Sequence, residues 1–445
     1  MSVILIGDGS LAGRACRQLT SEGHEVNHLR RAGDQELSSA LSGPVDAVAV
    51  LLHDDTSAIR YVLAVEHLRP GLRIYVALFD RTAAEQLRSV VPKVTPISPA
   101  DAALPTLMGS IMGHDVVAVG PVDTSGPRPS CTAIRRSRGE LQVADFNVPD
   151  RMRRAGLVGR IQGQFRPHDG NSAILLSGLI GLITILVIDT FLIVAFKGVG
   201  WLTAASEAVA VLSTVGPAPD SEGYPWYQVF TIVAMLAAII FLAVFTAGMV
   251  EHLLSGRYVG LLGRRVMPRS GHVIVVGLGQ VGFRLCQALR EQGLAVIAVE
   301  RLEASPNLPS ARAADIPVLI GDGSNRRTLQ KLNVSRCLAV VAVGSNELDN
   351  ISVSITARAL ATGAPVVVRA GHHEAIAETA SLFSIASVVD VEGLTVSAVS
   401  DWYAGDRPAY LADAGQDIAV VADDGGLRTR PKTVGSQCAH VPAQE

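Results

Sequence analysis

Three things are scarce in this 445-residue chain: cysteine, charge, and any patterned set of catalytic residues. The five cysteines, Cys16, Cys131, Cys286, Cys337 and Cys438, are scattered rather than grouped at metal-ligand spacings, so they are expected to be free thiols. Charged residues make up 18% of the chain and the formal net charge is −3, which gives no basis for nucleic-acid binding. No basic leader with a cleavage pattern precedes the first apolar run. Ser2, Val3, Ile4, Leu5 and Ile6 read directly as a strand, and the N-terminal segment is expected to stay in the cytoplasm. Acids follow histidine at His53-Asp54-Asp55 and His372-His373-Glu374, each after a strand, where such groups are usually solvated. The paired histidines point apart, which disfavours a metal site, and no enzyme activity is expected.

Apolar residues, by contrast, make up 49% of the chain, and mean hydropathy is +0.34. That is too apolar for a wholly soluble protein and too polar for a multi-span transporter. Two runs, 173–196 and 229–250, are each long enough to cross the roughly 30 Å core of a bilayer as a helix. Asp189 is the one charge in the first run, and the second has none. Arg151, Arg153, Arg154, Arg160 and Arg166 precede the first run, and Arg257, Arg264, Arg265 and Arg269 follow the second, with Lys197 between them. The positive-inside rule then puts both termini in the cytoplasm and the loop 197–228 outside, in a multi-pass protein of the cell membrane. Val158, Ile161 and Phe165 recur at helical spacing among arginines, suggesting an interfacial helix over 151–165.

After the second run, Gly271 to Val276 reads as a buried strand leading through Gly277, Leu278, Gly279, Gln280, Val281 and Gly282, a G-x-G-x-x-G pattern, into a helix. A second strand ends on Glu300. Gly277 permits a tight turn, Gly279 lets backbone N–H groups approach a pyrophosphate, and Gly282 allows close helix packing, while Glu300 can accept hydrogen bonds from a ribose. A third strand enters the turn Gly321-Asp322-Gly323-Ser324, and further strands at 338–343 and 365–369 imply a parallel sheet covered by helices. Gly277 to Gly282, Glu300, the Gly-Asp-Gly-Ser turn followed by Leu329, and Ala339 to Val343 with Asn346-Glu347 together resemble a regulator of K+ conductance (RCK) domain. The resemblance implies a regulatory nucleotide, NAD(H) or an adenine nucleotide, on Gly277, Gly279, Gln280, Val281 and Gly282. Glu300 would hold its ribose and Asp322 would lie near the base. Some relatives in that family bind divalent cations instead.

The N-terminus repeats the pattern at one constant spacing: Gly7 matches Gly277, Gly9 matches Gly279, Arg14 matches Arg284, Cys16 matches Cys286 and Leu19 matches Leu289. Ala12 replaces the third glycine, Arg30 stands where Glu300 stands, and the stretch before the next strand is too short to hold a Gly-Asp-Gly-Ser turn. The first copy is therefore expected to pair structurally rather than to bind nucleotide well; the rival reading has Arg30 receiving a 2′-phosphate.

Between the two apolar runs, 201–212 reads as a short helix leading into Ser213, Thr214, Val215 and Gly216. Re-entrant backbone of this kind is allowed at membrane depth only where protein or water satisfies it. Span, short helix, Thr-Val-Gly and span resemble the two-helix pore of the K+ channel superfamily, which implies a homotetramer with K+ among filter carbonyls from Ser213 to Ala218. Here Pro217 and Ala218 stand where that family continues with Tyr and Gly, so the outer filter must differ.

The expected architecture is α/β plus membrane α, with two Rossmann-like domains of doubly wound parallel sheet flanking a pore module. Its parts are a first copy over 1–120, a linker over 121–170, a pore module over 171–256 with filter within 201–220, a linker over 257–270, a second copy over 271–395 and a tail over 396–445. The expected function is a ligand-gated cation channel, with potassium the expected ion, regulated by nucleotide or divalent-ion binding to the cytoplasmic copies; its partners are monovalent cations, a nucleotide, the lipid bilayer and three further copies of itself. The competing readings are a membrane-anchored NAD(P)-binding oxidoreductase and a nucleotide-sensing subunit of a separate transporter.

Overall fold

The computed structural model describes residues 2–122, 131–149, 152, 170–213, 225–254, 268, 270–370 and 386–432. It divides into two compact units, Met1–Arg160 with Gly263–Glu445, and Ile161–Leu262.

The first unit begins with β1 (Ser2–Ile6), α1 (Ser10–Ser21), β2 (Glu25–Leu29), α2 (Asp34–Leu41), β3 (Ala47–Val50), α3 (Asp55–Leu68), β4 (Arg73–Ala77), α4 (Arg81–Val90) and β5 (Val94–Ile97). The strands form one parallel sheet in the order β2-β1-β3-β4-β5. Val3, Ile4, Leu5 and Ile6 are all buried, as a central parallel strand covered on both faces requires. After the sheet comes α5 (Pro99–Met112), capped by Ser98, whose hydroxyl accepts the Asp101 N–H at 3.2 Å. Then β6 (Val116–Val119), β7 (Cys131–Ser137) and β8 (Glu140–Phe146) form an antiparallel sheet. The region 121–170, expected to be a linker, thus contributes two strands. Ser137 lies opposite Glu140, and the two residues between them, Arg138 and Gly139, both take positive φ (52° and 90°) in the manner of a tight hairpin.

The second unit holds α6 (Gly170–Lys197), α7 (Trp201–Leu212) and α8 (Pro225–Leu254). Within α6 and α8, Leu176–Lys197 and Pro225–Val250 are long and apolar enough to cross a membrane. The two helices approach through small residues: a Cβ at Gly178 would lie 2.7 Å from the Phe245 nitrogen, and one at Gly181 would overlap the Phe241 ring. Ala204 and Ala208 of α7 are buried in a cluster with Ile193 and Tyr227. Asp189 is fully buried beside it and accepts the Tyr227 hydroxyl at 3.0 Å, so the one acid of the first run faces protein, as expected for an ionisable group there.

The first unit resumes with β9 (His272–Val276), α9 (Gln280–Glu291), β10 (Ala295–Glu300), α10 (Leu308–Ala313), β11 (Val318–Ile320), α11 (Arg326–Lys331), β12 (Ala339–Ala342), α12 (Glu347–Leu360), β13 (Val366–Ala370) and β14 (Ser387–Asp390). Their parallel order, β11-β10-β9-β12-β13-β14, matches that of the first sheet with one strand added outside β10. The extra strand is β11, which delivers the Gly-Asp-Gly-Ser turn; in the first copy the chain passes from β2 through α2 straight to β3. The expectation that the first copy lacks this turn therefore holds.

The expected tail is folded as far as 432. It contains most of α13 (Val391–Ala404), followed by β15 (Pro408–Asp413), β16 (Asp417–Ala422) and β17 (Leu427–Pro431), a second antiparallel sheet. The duplication thus extends beyond the nucleotide fold, since each copy is a parallel sheet, a helix and a small antiparallel sheet. The two small sheets share a core of Ala118, Ile134, Tyr410, Ala412, Ala419 and Val421.

The copies pair by exchanging helices, α1 packing on α13 and α9 on α5. The matched arginines lock both contacts. Arg14 donates two hydrogen bonds to Asp390, at 2.8 and 2.6 Å, with both side chains almost fully buried. Arg284 donates to the Ser98 hydroxyl at 2.9 Å and the Phe79 carbonyl at 3.1 Å, and pairs with Asp101. Asp390 caps α13 just as Ser98 caps α5. Cys131, Cys286 and Cys337 are free, whereas Cys16, expected to be free as well, is disulfide-bonded.

Candidate functional site

In the second copy the chain moves outward from β9 to β10 and β11, then returns to the other side of β9 with β12. The carboxyl ends of β9 and β12 therefore flank a topological switch point, where open α/β sheets bind ligands. A cleft of about 1050 Å³ opens there. Of the expected nucleotide residues, Gly277, Gly279, Gln280, Val281, Glu300 and Asp322 all line it, while Gly282 lies behind the wall.

Each glycine has a separate physical reason. Gly277 sits at φ +98°, and a Cβ there would press on the Gly344 nitrogen at 2.7 Å. A Cβ at Gly282 would overlap the Gly277 carbonyl. Gly279 differs, because a Cβ there would meet nothing within 4 Å, so protein packing does not demand glycine. Gly279 is also the N-cap of α9 and offers no side-chain cap, so bare backbone at the positive end of a helix faces the open cleft. Those are the requirements of a pyrophosphate.

Glu300 ends β10 and is fixed beside the turn, with one carboxylate oxygen accepting the Leu278 N–H at 2.9 Å and the other the Leu302 N–H at 3.0 Å. A carboxylate so held keeps lone pairs for ribose hydroxyls. Asp322 is exposed after β11 and accepts the Ser324 N–H and hydroxyl, both at 2.8 Å. Two asparagines not singled out from sequence brace the site. Asn307 donates to the Leu278 carbonyl at 3.0 Å, and Asn350 bonds both the N–H and the carbonyl of Gly344, at 2.9 and 3.0 Å.

The first copy presents the opposite picture at its own turn. His53 covers it, since a Cβ at Gly9 would lie 3.2 Å from two atoms of that ring. His28 lies 2.9 Å from the Gly7 carbonyl through Nε2, Arg31 pairs with Asp8, and Arg30 is exposed. The backbone that would meet a phosphate is filled from within, which agrees with a structural role for this copy. It nevertheless contributes to the other cleft, because Gly9, Ser10, His53, Asp55 and Phe79 are among the residues that line it. Asp55 accepts the N–H groups of Phe79 and Asp80 at 3.0 and 2.7 Å and so fixes the loop that carries Phe79.

His53 is therefore more than a solvated loop residue. Its Nε2 lies 3.4 Å from Glu392, which also accepts the Ser10 hydroxyl at 2.7 Å. The Glu392 hydrogen bond raises the His53 pKa above its ordinary value of 6.5. A raised folded-state value means the pairing stabilises fully below about 6.5 and is lost as pH rises through the higher folded value. The gap in unfolding midpoint between the unmodified chain and His53→Gln should shrink from pH 6 to pH 8.5; a gap independent of pH would refute the pairing.

Among the described residues, no group of three or more His, Cys, Asp or Glu could hold a metal. Ser213 ends α7, its N–H donating to the Val209 carbonyl at 2.9 Å and its hydroxyl to the Ala210 carbonyl at 3.0 Å. Thr214, Val215, Gly216, Pro217 and Ala218 lie outside the described residues, as do His372, His373, Glu374 and all of 151–165 except Met152.

A doubly wound sheet with an open glycine turn and an acid at the end of its second strand defines a Rossmann-like fold of the nucleotide-binding type. Residues 273–389 match the model of the TrkA-N domain. The chain is similar to Potassium channel protein 1 of Methanocaldococcus jannaschii, 23% identical over 215 residues that cover 43% of this chain and 60% of the relative. It is also similar to the voltage-gated potassium channel Kch of Escherichia coli, 25% identical over 173 residues that cover 37% of this chain and 41% of that one. Among solved structures, the GsuK channel bound to NAD has a TM-score of 0.47 and 13% identity, covering 90% of this chain and 63% of that one.

Proposed function

We propose that this protein is a nucleotide-regulated cation channel of the cell membrane, conducting potassium, with both termini in the cytoplasm. The reading is supported by the unit Ile161–Leu262, which holds two helices long and apolar enough to cross a membrane with a short apolar helix between them, the order of elements in a two-helix pore. Four chains would surround the ion path, with residues from Ser213 to Ala218 as the filter. Pro217 has no N–H to donate, so the outer part of that filter departs from the usual potassium arrangement. Relatives named as potassium channels support the reading, although the aligned segments span 60% and 41% of those two proteins.

The observation that carries the regulatory half is the bare N-terminus of α9 at Gly279, open to a cleft and unused by the protein's own packing. NAD(H) or an adenine nucleotide would place its phosphates there and its ribose on Glu300. Residues 255–269 connect the second span to the second copy, so a change in how the paired copies sit would be felt by that span. The ligand must bind the open and closed forms with different affinity for this to gate the pore.

Glu300→Ala should weaken NAD or ADP binding about tenfold through lost charge-assisted hydrogen bonds, while assembly is unchanged. Titration calorimetry on the full chain in detergent reads this directly, and an unchanged dissociation constant would remove Glu300 from the site.

A further inference from the structure

Arg369 is the first residue of β13 that is not apolar, and it lies at the carboxyl end of that strand, facing the cleft. Its guanidinium has no hydrogen bond or ion pair among the described residues and stands over the Phe79 ring of the first copy, 5.8 Å from its centre. By contrast, Arg14, Arg284 and Arg430 direct their guanidinium groups onto carboxylates and carbonyl or hydroxyl oxygens. Burial lowers the Arg369 pKa, and Glu392 and Glu347 act only through their more distant charge. A half-buried cation at the cleft, engaged by no protein acceptor among the described residues, has its donors available to an anion that enters.

We infer that Arg369 is a phosphate-binding residue of this cleft, held in place by Phe79 from the first copy. The reading rests on the nucleotide cleft proposed above. The glycine turn and the α9 N-terminus contact a phosphate through backbone alone, whereas Arg369 adds a full charge from the other side of the switch point. The ring of Phe79 fixes the guanidinium by cation–π contact, so the first copy, whose own turn is filled by His53, completes the site of the second. A planar donor fork suits phosphate better than an ammonium does.

The test is calorimetric titration of the full chain in detergent with ADP and with NAD, for the unmodified protein, Arg369→Gln and Arg369→Lys. Arg369→Gln should weaken binding of at least one of the two about tenfold or more, with Arg369→Lys between it and the unmodified chain. Phe79→Ala should weaken it less, by loosening the guanidinium. If the unmodified chain binds neither compound, the nucleotide reading itself fails. If it binds and Arg369→Gln binds equally well, the nucleotide reading stands and the role of Arg369 is wrong. Should Arg369→Gln fail to fold, Arg369→Lys decides, because it keeps the charge and loses only the fork; full affinity there would overturn the inference.

Discussion

Asp390→Ala should destabilise the unit containing the paired copies by about 3–5 kcal/mol, the range for breaking a buried ion pair from one side. The Arg14 and Asp390 side chains are 3% and 4% exposed, so water cannot replace the lost partner. The substitution also removes the cap of α13, where the carboxylate accepts the Gly393 N–H at 2.8 Å, and takes from the buried Arg14 guanidinium its two short hydrogen bonds, with Glu392 3.9 Å away. Thermal or urea unfolding of the full chain in detergent measures the loss. The double variant Arg14→Met with Asp390→Ala should recover part of it, because the buried guanidinium that lost its bidentate partner is gone. The matched contact on the other side gives a built-in comparison. Asp101, the partner of Arg284, is 53% exposed, so Asp101→Ala should cost far less. Equal and small effects at Asp390 and Asp101 would refute the view that Arg14 locks the two copies together.

Gly282→Val should abolish measurable nucleotide binding while sparing the pairing of the copies. Even a single methyl group at this position would overlap the Gly277 carbonyl, and valine adds two more on a β-branched stem. The turn must move, taking with it the N–H groups at the start of α9. Losing two charge-assisted hydrogen bonds at about 1.5 kcal/mol each corresponds to roughly a 100-fold weaker complex. The first copy shows what a displaced turn looks like: Ala12 occupies the matched position, and Gly7, unlike Gly277, is not in the left-handed region. A near-normal dissociation constant for Gly282→Val would mean that the ligand lies elsewhere in the cleft.

The nucleotide fold was legible because its signals are local. Strand, glycine turn, helix, strand and acid follow one another over about thirty residues, and each element is set by its own neighbours. The missing third strand of the first copy was legible from length alone. What escaped depends on distance or on an unusual residue. Arg14 and Arg284 were matched by the repeat, but their partners lie 376 and 183 residues away, and periodicity says nothing about such pairs. The β7–β8 hairpin was hidden because Arg138 takes positive φ where glycine, asparagine or aspartate would have announced the turn. From sequence alone His53 is a strand-end polar group like any solvated one, because the acid it meets, Glu392, belongs to the other copy. Arg369 was countable in the sequence as the polar end of a buried parallel strand, the position where such sheets place ligand contacts, and that rule would have flagged it.

As proposed, this chain would conduct cations under nucleotide control. Purified full-length protein in potassium-loaded liposomes, assayed for cation flux with and without NAD, NADH or ADP, tests it most directly. Potassium flux should appear, change with nucleotide, be lost when Gly216 is replaced by a bulky residue, and lose its nucleotide response in Gly282→Val. Absence of cation flux under every nucleotide and divalent-ion condition would contradict it.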